Sequence, residues 1–231
     1  MKYYKGFNKD MTCRGFQFEE GKTYETNTAK LCESGFHACE APLGCLVYYA
    51  PATSEYHEVE LEDISPERSG GDTKVCAKKI KIGAKLDIEG IVKAQIEYVK
   101  EHCTNSETGG NGSALNGGYG SALNGRDRSA LNGGDRSALN GGNGSALNGG
   151  NRSALNGGNG SALNGGNRSC LRGSCGARFK GGMHTVFAAE DWRNGSFVGM
   201  KTTFVDGERI KPDTWYKLEN GEFVEASDND K

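Results

Sequence analysis

The sequence predicts a mainly β protein with a β-solenoid at its centre, and three observations carry that expectation. Of the 36 glycines in 231 residues, 20 fall within residues 109–175. In the same stretch a serine stands at 113, 121, 129, 137, 145, 153, 161 and 169, each with a leucine two positions later. No run approaches the ~18 consecutive apolar residues that a membrane-spanning helix needs. The composition shift sets three zones: an N-terminal α/β capping domain over residues 1–108, an octapeptide-repeat solenoid over 109–175, and a C-terminal β cap over 176–231.

In the first zone the segments Gly35 to Cys39, Pro42 to Tyr49 and Tyr56 to Glu62 read in order as strand, helix and strand. Asp87 to His102 carries apolar residues at Ile88, Ile91, Val92, Ile96 and Val99, the spacing of one helical face, with Asp87 placed to cap its start. A solenoid end exposes unpaired strand edge and apolar column, so this helix is expected to cover the first coil.

The repeat follows the consensus S-A-L-N-G-G-x-x. In an extended S-A-L-N the side chains alternate, so a buried leucine carries its serine inward and leaves Ala and Asn outside. Asn-Gly then supplies the left-handed backbone of a corner, and each octad becomes one short strand and one turn. From Gly144 onward the residue before each serine alternates between glycine and arginine with a period of sixteen. Two octads per coil follow, hence about four coils, with Arg136, Arg152 and Arg168 in one column. Beyond the repeat, His184 to Ala189, Ser196 to Val205, Thr214 to Leu218 and Glu222 to Ala226 read as strands, with Asn220-Gly221 as a hairpin turn.

Three resemblances attach to particular residues. Gly118-Tyr119-Gly120-Ser121-Ala122-Leu123-Asn124 resembles the octads of bacterial ice-nucleation proteins, which implies a solenoid of sixteen-residue coils. The outward Thr pair of those octads is Ala122 and Asn124 here, so architecture carries over and ice binding does not. The segments YYKGFNKDMTCRGFQFEEGKTYE and IKPDTWYKLENGEFVE resemble the ends of small phage and prophage accessory proteins that bracket short Gly-rich repeats. Finally, Tyr4-Lys5-Gly6 with the strand–helix–strand order is similar to part of the ADP-ribosyltransferase core, where Tyr-Arg-Gly is usual. That resemblance implies a nicotinamide pocket lined by His37 and Tyr48 or Tyr49, with one of Glu58, Glu60 and Glu62 orienting the ribose.

The residues offer four kinds of chemistry. Cys13, Cys32, His37 and Cys39, with Cys45 as a spare, are metal-ligand types, although their spacing lacks a C-x2-C knuckle and free buried thiols are the simpler reading. His37, Tyr48 and Glu60 are the catalytic candidates that the transferase resemblance implies. Arg136, Arg152 and Arg168 form a column able to hold a small anion, such as a nucleotide. The uncharged row Ala122, Ala130, Ala138, Ala146 and Ala154 forms a flat face suited to packing against a second copy. The reading is therefore a non-enzymatic binding or scaffold protein, expected to be a homodimer, with a host protein or small anion as further partner and no cofactor. A net charge of −2 and a pI near 6.1 argue against a nucleic-acid or membrane partner. With no secretory signal at MKYYKGFNKD, eight cysteines point to free thiols in a cytoplasm.

Overall fold

The computed structural model describes residues 2–69 and 72–227, which divide into two compact units, 1–94 and 95–231. The first contains β1 (Tyr3–Asn8), β2 (Thr12–Cys13), β3 (Phe16–Gln17), β4 (Thr23–Glu25), β5 (Phe36–Cys39), β6 (Ser54–Ile64) and β7 (Lys74–Leu86). Between β5 and β6 the chain makes one 3-10 helix, Pro42–Val47. β7 is long enough to pair with β5 through Lys74 to Ala77 and with β6 through Ala77 to Leu86. Since β1 also pairs with both β5 and β6, these four strands close on themselves, and β4 adds on to β7. The interior is apolar: Phe7, Val75, Ile80 and Ile82 are fully buried and pack with Phe18 and Val59. An antiparallel sheet with a short 3-10 helix thus stands where an α/β arrangement was expected. Pro42 opens that helix but no side chain caps it.

Helix α1 (Ile88–Glu101) begins as its sequence requires, because the Asp87 carboxylate accepts a hydrogen bond from the Gly90 N–H at 2.7 Å. It crosses the boundary between the two units.

The second unit holds β8 (Asn105–Thr108), β9 (Ala114–Asn116), β10 (Ser121–Asn124), β11 (Ala130–Asn132), β12 (Ala138–Gly141), β13 (Ala146–Gly149) and β14 (Ala154–Gly157). It continues with β15 (Ala162–Gly165), β16 (Cys170–Gly173), β17 (Arg178–Gly181), β18 (Val186–Arg193), β19 (Ser196–Phe204), β20 (Tyr216–Glu219) and β21 (Glu222–Glu225). Even-numbered strands from β8 to β18 stack in parallel in one sheet and odd-numbered strands from β9 to β17 in the other. Every rung pairs residues sixteen apart, Leu139 with Leu155 and Leu147 with Leu163, so two octads make one coil. The ladder is a β-solenoid of about five turns around residues 105–189, longer at both ends than the repeat itself. Sequence outside the octad continues it: β17 and β18 place Phe179 and Phe187 at the leucine position.

Leu123 through Leu171 form one buried column, and the serines from Ser121 to Ser169 are buried beside it. Their hydroxyls are satisfied internally: Ser153 Oγ accepts from Ser137 N–H at 3.2 Å and donates to the Gly134 carbonyl at 3.2 Å. The corners are as tightly specified. A Cβ on Gly141 would lie 2.7 Å from the Ser145 Cβ, and one on Gly150 would lie 2.7 Å from the Asp135 backbone nitrogen of the preceding coil.

The far end is closed by continuation of both sheets. β19 pairs antiparallel with β18, β20 with β17, and β21 with β20, while Val205, Ile210 and Tyr216 join Phe179 and Phe187 in the core. The Asn220-Gly221 turn falls where expected, and Asn194-Gly195 makes another hairpin. Helix α1 does not sit over an end of the leucine column: from Ile96 onward it packs laterally, with Val99 against Ala138 and Ala154. Among the described residues no helix is long and apolar enough to cross a membrane.

Candidate functional site

The first unit contains a cavity of about 450 Å³ to which five segments contribute. β1 supplies Tyr4, Lys5 and Gly6; the turn between β2 and β3 supplies Arg14; the approach to β5 supplies Cys32, Glu33 and His37; the 3-10 helix region supplies Cys45, Tyr48 and Tyr49. Lys74, at the start of β7, completes the wall. Gly6 is required by close approach, since a Cβ there would lie 2.7 Å from the Tyr49 ring.

Lys5 dominates the electrostatics. Its residue is only 6% exposed, and its ammonium donates to the His37 carbonyl oxygen at 2.9 Å and approaches Cys13 Sγ at 3.5 Å. It also lies 5.3 Å and 5.6 Å from the ring centres of Phe7 and Phe18. No carboxylate of the described residues pairs with it within 4.0 Å. The Tyr49 hydroxyl donates to Cys13 Sγ at 2.9 Å. Nearby, Lys74 lies 4.7 Å from the Tyr48 ring centre, and the Tyr48 hydroxyl donates to Asp72. Against Lys5, Arg14 and Lys74, the acid in the cavity wall is Glu33.

His37 responds to this field. Burial first, and then the positive charges of Lys5, Lys74 and Arg14, lower its pKa below the usual imidazole value. The neutral ring fits its hydrogen bond, because Nε2 accepts from the Cys32 N–H at 2.8 Å. Burial likewise raises the Tyr49 phenol, with the Cys13 contact adding to the effect, and burial raises Cys45. Backbone strain gathers at the same place: Arg14 and Cys32 hold φ of 50° and 66°, and Met11, which packs against the adjoining core, holds 62°. A wide apolar lip accompanies the charge, with Phe16 47% exposed and in ring contact with Phe18, Tyr24 and Phe36.

The structure brings Lys5, His37, Tyr48 and Tyr49 to one cavity wall. It does not bring in the glutamates. Glu58, Glu60 and Glu62 lie outside the cavity wall and pair with Lys2 at 3.0 Å, Lys81 at 3.0 Å and Lys79 at 2.9 Å, because they alternate along the solvent side of β6. Cys13, Cys32, His37 and Cys39 do line one cavity, yet the described residues contain no group of three or more ligands arranged to hold a metal. Arg14, Glu33 and Lys74 were not singled out from sequence. They reach the cavity through sheet closure, which leaves no local motif.

A second concave surface lies on the solenoid, about 470 Å³ in volume, where Arg136, Arg152 and Arg168 stack with Tyr119 at one end and His184 at the other. The three arginines have φ of 58°, 59° and 57°. The alanine row divides between the two sheets. Ala138 and Ala154 are buried, Ala122 is half-buried, and Ala130 and Ala146 are exposed. A continuous flat face through all five is therefore corrected: consecutive octads face opposite sides, and α1 covers part of one side.

These features define a two-unit β protein, a small closed antiparallel sheet with a basic, ligand-sized cavity and a capped β-solenoid. Residues 1–94, the whole of the first unit, match the model of a family described as Domain of unknown function (DUF7666). No curated protein and no solved structure matches the chain.

Proposed function

We propose that this chain is a non-enzymatic binding protein whose first unit holds a small molecule combining a flat ring with negative charge. The observation that carries the reading is the buried Lys5 ammonium, which faces the cavity without a carboxylate partner. An unpaired buried cation is costly, and an entering anion offsets that cost. The open ring face of Phe16 supplies a surface for a planar group. Calorimetric titration with adenosine monophosphate and with nicotinic acid tests it: Lys5→Met is expected to abolish binding of either probe and Phe16→Ala to weaken it. Binding unchanged in Lys5→Met, or no binding of either probe by the parent, overturns the reading.

The transferase reading is supported by one observation, the shared placement of Lys5, His37, Tyr48 and Tyr49. On that reading Glu33 rather than Glu60 supplies the acid. Nicotinamide release from NAD would be lost in Glu33→Gln; absence of release by the parent excludes it.

The resemblance of both chain ends to phage accessory proteins supports a role of that kind. We propose self-association through the sheet of odd-numbered strands, where Ala130 and Ala146 are exposed beside a ladder in which Asn148 and Asn164 each donate to the asparagine one coil earlier. Ala146→Lys is expected to convert a dimer to a monomer. A parent that is monomeric at high concentration removes that proposal.

A further inference from the structure

We infer that the solenoid carries a separate site for a linear chain of phosphates, laid along the coil axis over Arg136, Arg152 and Arg168. The backbone gives the first reason. Each of these arginines sits in the left-handed region that glycine enters without strain. The corners on the other side of the same coils use Gly144, Gly160 and Gly176, at φ 64°, 64° and 69°. Glycine therefore builds this turn, and the fold has no need of arginine there. The opposite column does include one arginine, Arg128 at φ 57°, but no stack of three.

Spacing gives the second reason. The backbone N–H groups of the three arginines bond to Asn151, Asn167 and Met183 carbonyls of the next coil at 2.8, 2.9 and 2.9 Å, fixing each rung on the next. At ~4.8 Å per rung the column spans roughly 10 Å between its first and third Cα positions. One phosphate contacts one rung or two, whereas a chain of three can follow the column. Guanidinium forks bind successive phosphate oxygens well.

The surroundings give the third. The acid lining this surface is Asp135, whose carboxylate accepts from the Asn151 N–H at 2.8 Å. His184 continues the column, with a buried Nδ1 that has no hydrogen-bond partner among the described residues. At the other end the Tyr119 ring is 63% exposed and lies 5.5 Å from the Arg136 guanidinium carbon. That ring can stack on a base, so the phosphate chain can be free or carried by a nucleoside.

The test is calorimetric titration of the full chain with inorganic phosphate, tripolyphosphate and adenosine triphosphate. Tripolyphosphate is expected to bind at least about tenfold more tightly than phosphate, since added charge-assisted contacts multiply affinity. Replacing all three arginines with glycine is expected to abolish tripolyphosphate binding while leaving strand content unchanged, and Arg152→Gln alone should weaken it about tenfold. Lys5→Met, in the other unit, should leave it intact and so separates this site from the cavity. Tyr119→Ala discriminates the sources: a loss confined to adenosine triphosphate identifies a nucleoside-borne chain, and no loss identifies a free one. Equal affinity for phosphate and tripolyphosphate, retention of binding in a folded triple-glycine variant, or loss in Lys5→Met overturns the proposal. Should the triple variant unfold, Arg152→Gln decides: undiminished binding in that variant also overturns it.

Discussion

The two sheets of the solenoid are written in the same octad, yet their outer faces meet different surroundings. On the even-numbered strands Ala138 and Ala154 are 7% and 2% exposed, beneath Val99 of helix α1; on the odd-numbered strands Ala130 and Ala146 face outward. Inside, the difference disappears: Leu147 and Leu155 belong to one column, at 2% and 0% exposure. The repeat dictates what points inward because leucine and serine there meet copies of themselves. What happens outside depends on segments that are not part of the repeat. The corner columns teach the same lesson, since one is mostly glycine and the other mostly arginine on an unchanged backbone.

The largest expected effect tests the shared interior. Leu147→Ala and Leu155→Ala should each cost about 2–5 kcal/mol in denaturant unfolding, as cavities in a packed column. A marked inequality between them would mean that the two sheets do not share one core. A smaller loss, about 1–3 kcal/mol, is expected for Gly150→Ala, whose added Cβ has backbone to strike. Gly144→Ala, at a corner where the nearest atom is a flexible arginine side chain 3.6 Å away, should cost less and mainly through its positive φ.

A further comparison sets the two units apart by pH. Folding holds the His37 pKa below its ordinary 6.5, so the unfolded chain takes up a proton first as pH falls. The stability tied to the neutral ring is present above pH 6.5 and is lost progressively as pH drops toward and through the folded value. Thermal melting of the first unit, followed from pH 7.5 to 5, should show this decline, and His37→Gln should flatten it. An unchanged slope in that variant would move the effect to another group.

The solenoid was legible because its signal is periodic and redundant. The Ser and Leu columns, the sixteen-residue coil, the stacked arginines and the Asp87 cap all follow from spacing. The first unit was less so. Its closure depends on β1 and on the thirteen-residue β7, whose pairings join residues far apart in sequence and carry no repeat. The lateral seat of α1 was missed for a related reason: its apolar stripe shows that a surface is covered, and Val99 fits an alanine row as well as a solenoid end. For the cavity, resemblance reached Lys5, His37, Tyr48 and Tyr49. Arg14 and Lys74, which set its charge, were reachable only through the fold.

The most direct test of the claim that non-repeat segments decide the fate of identical octads is to place one charge on each face. Ala154→Lys and Ala146→Lys should be compared by urea unfolding monitored by circular dichroism. The account predicts a loss of about 1–3 kcal/mol for Ala154→Lys, where the ammonium stem must displace Val99. For Ala146→Lys, with both proteins unfolded at a concentration where the parent is monomeric, it predicts a change within about 0.5 kcal/mol, as at an open surface. Equal destabilisation by the two substitutions, or a larger loss at Ala146, would contradict it.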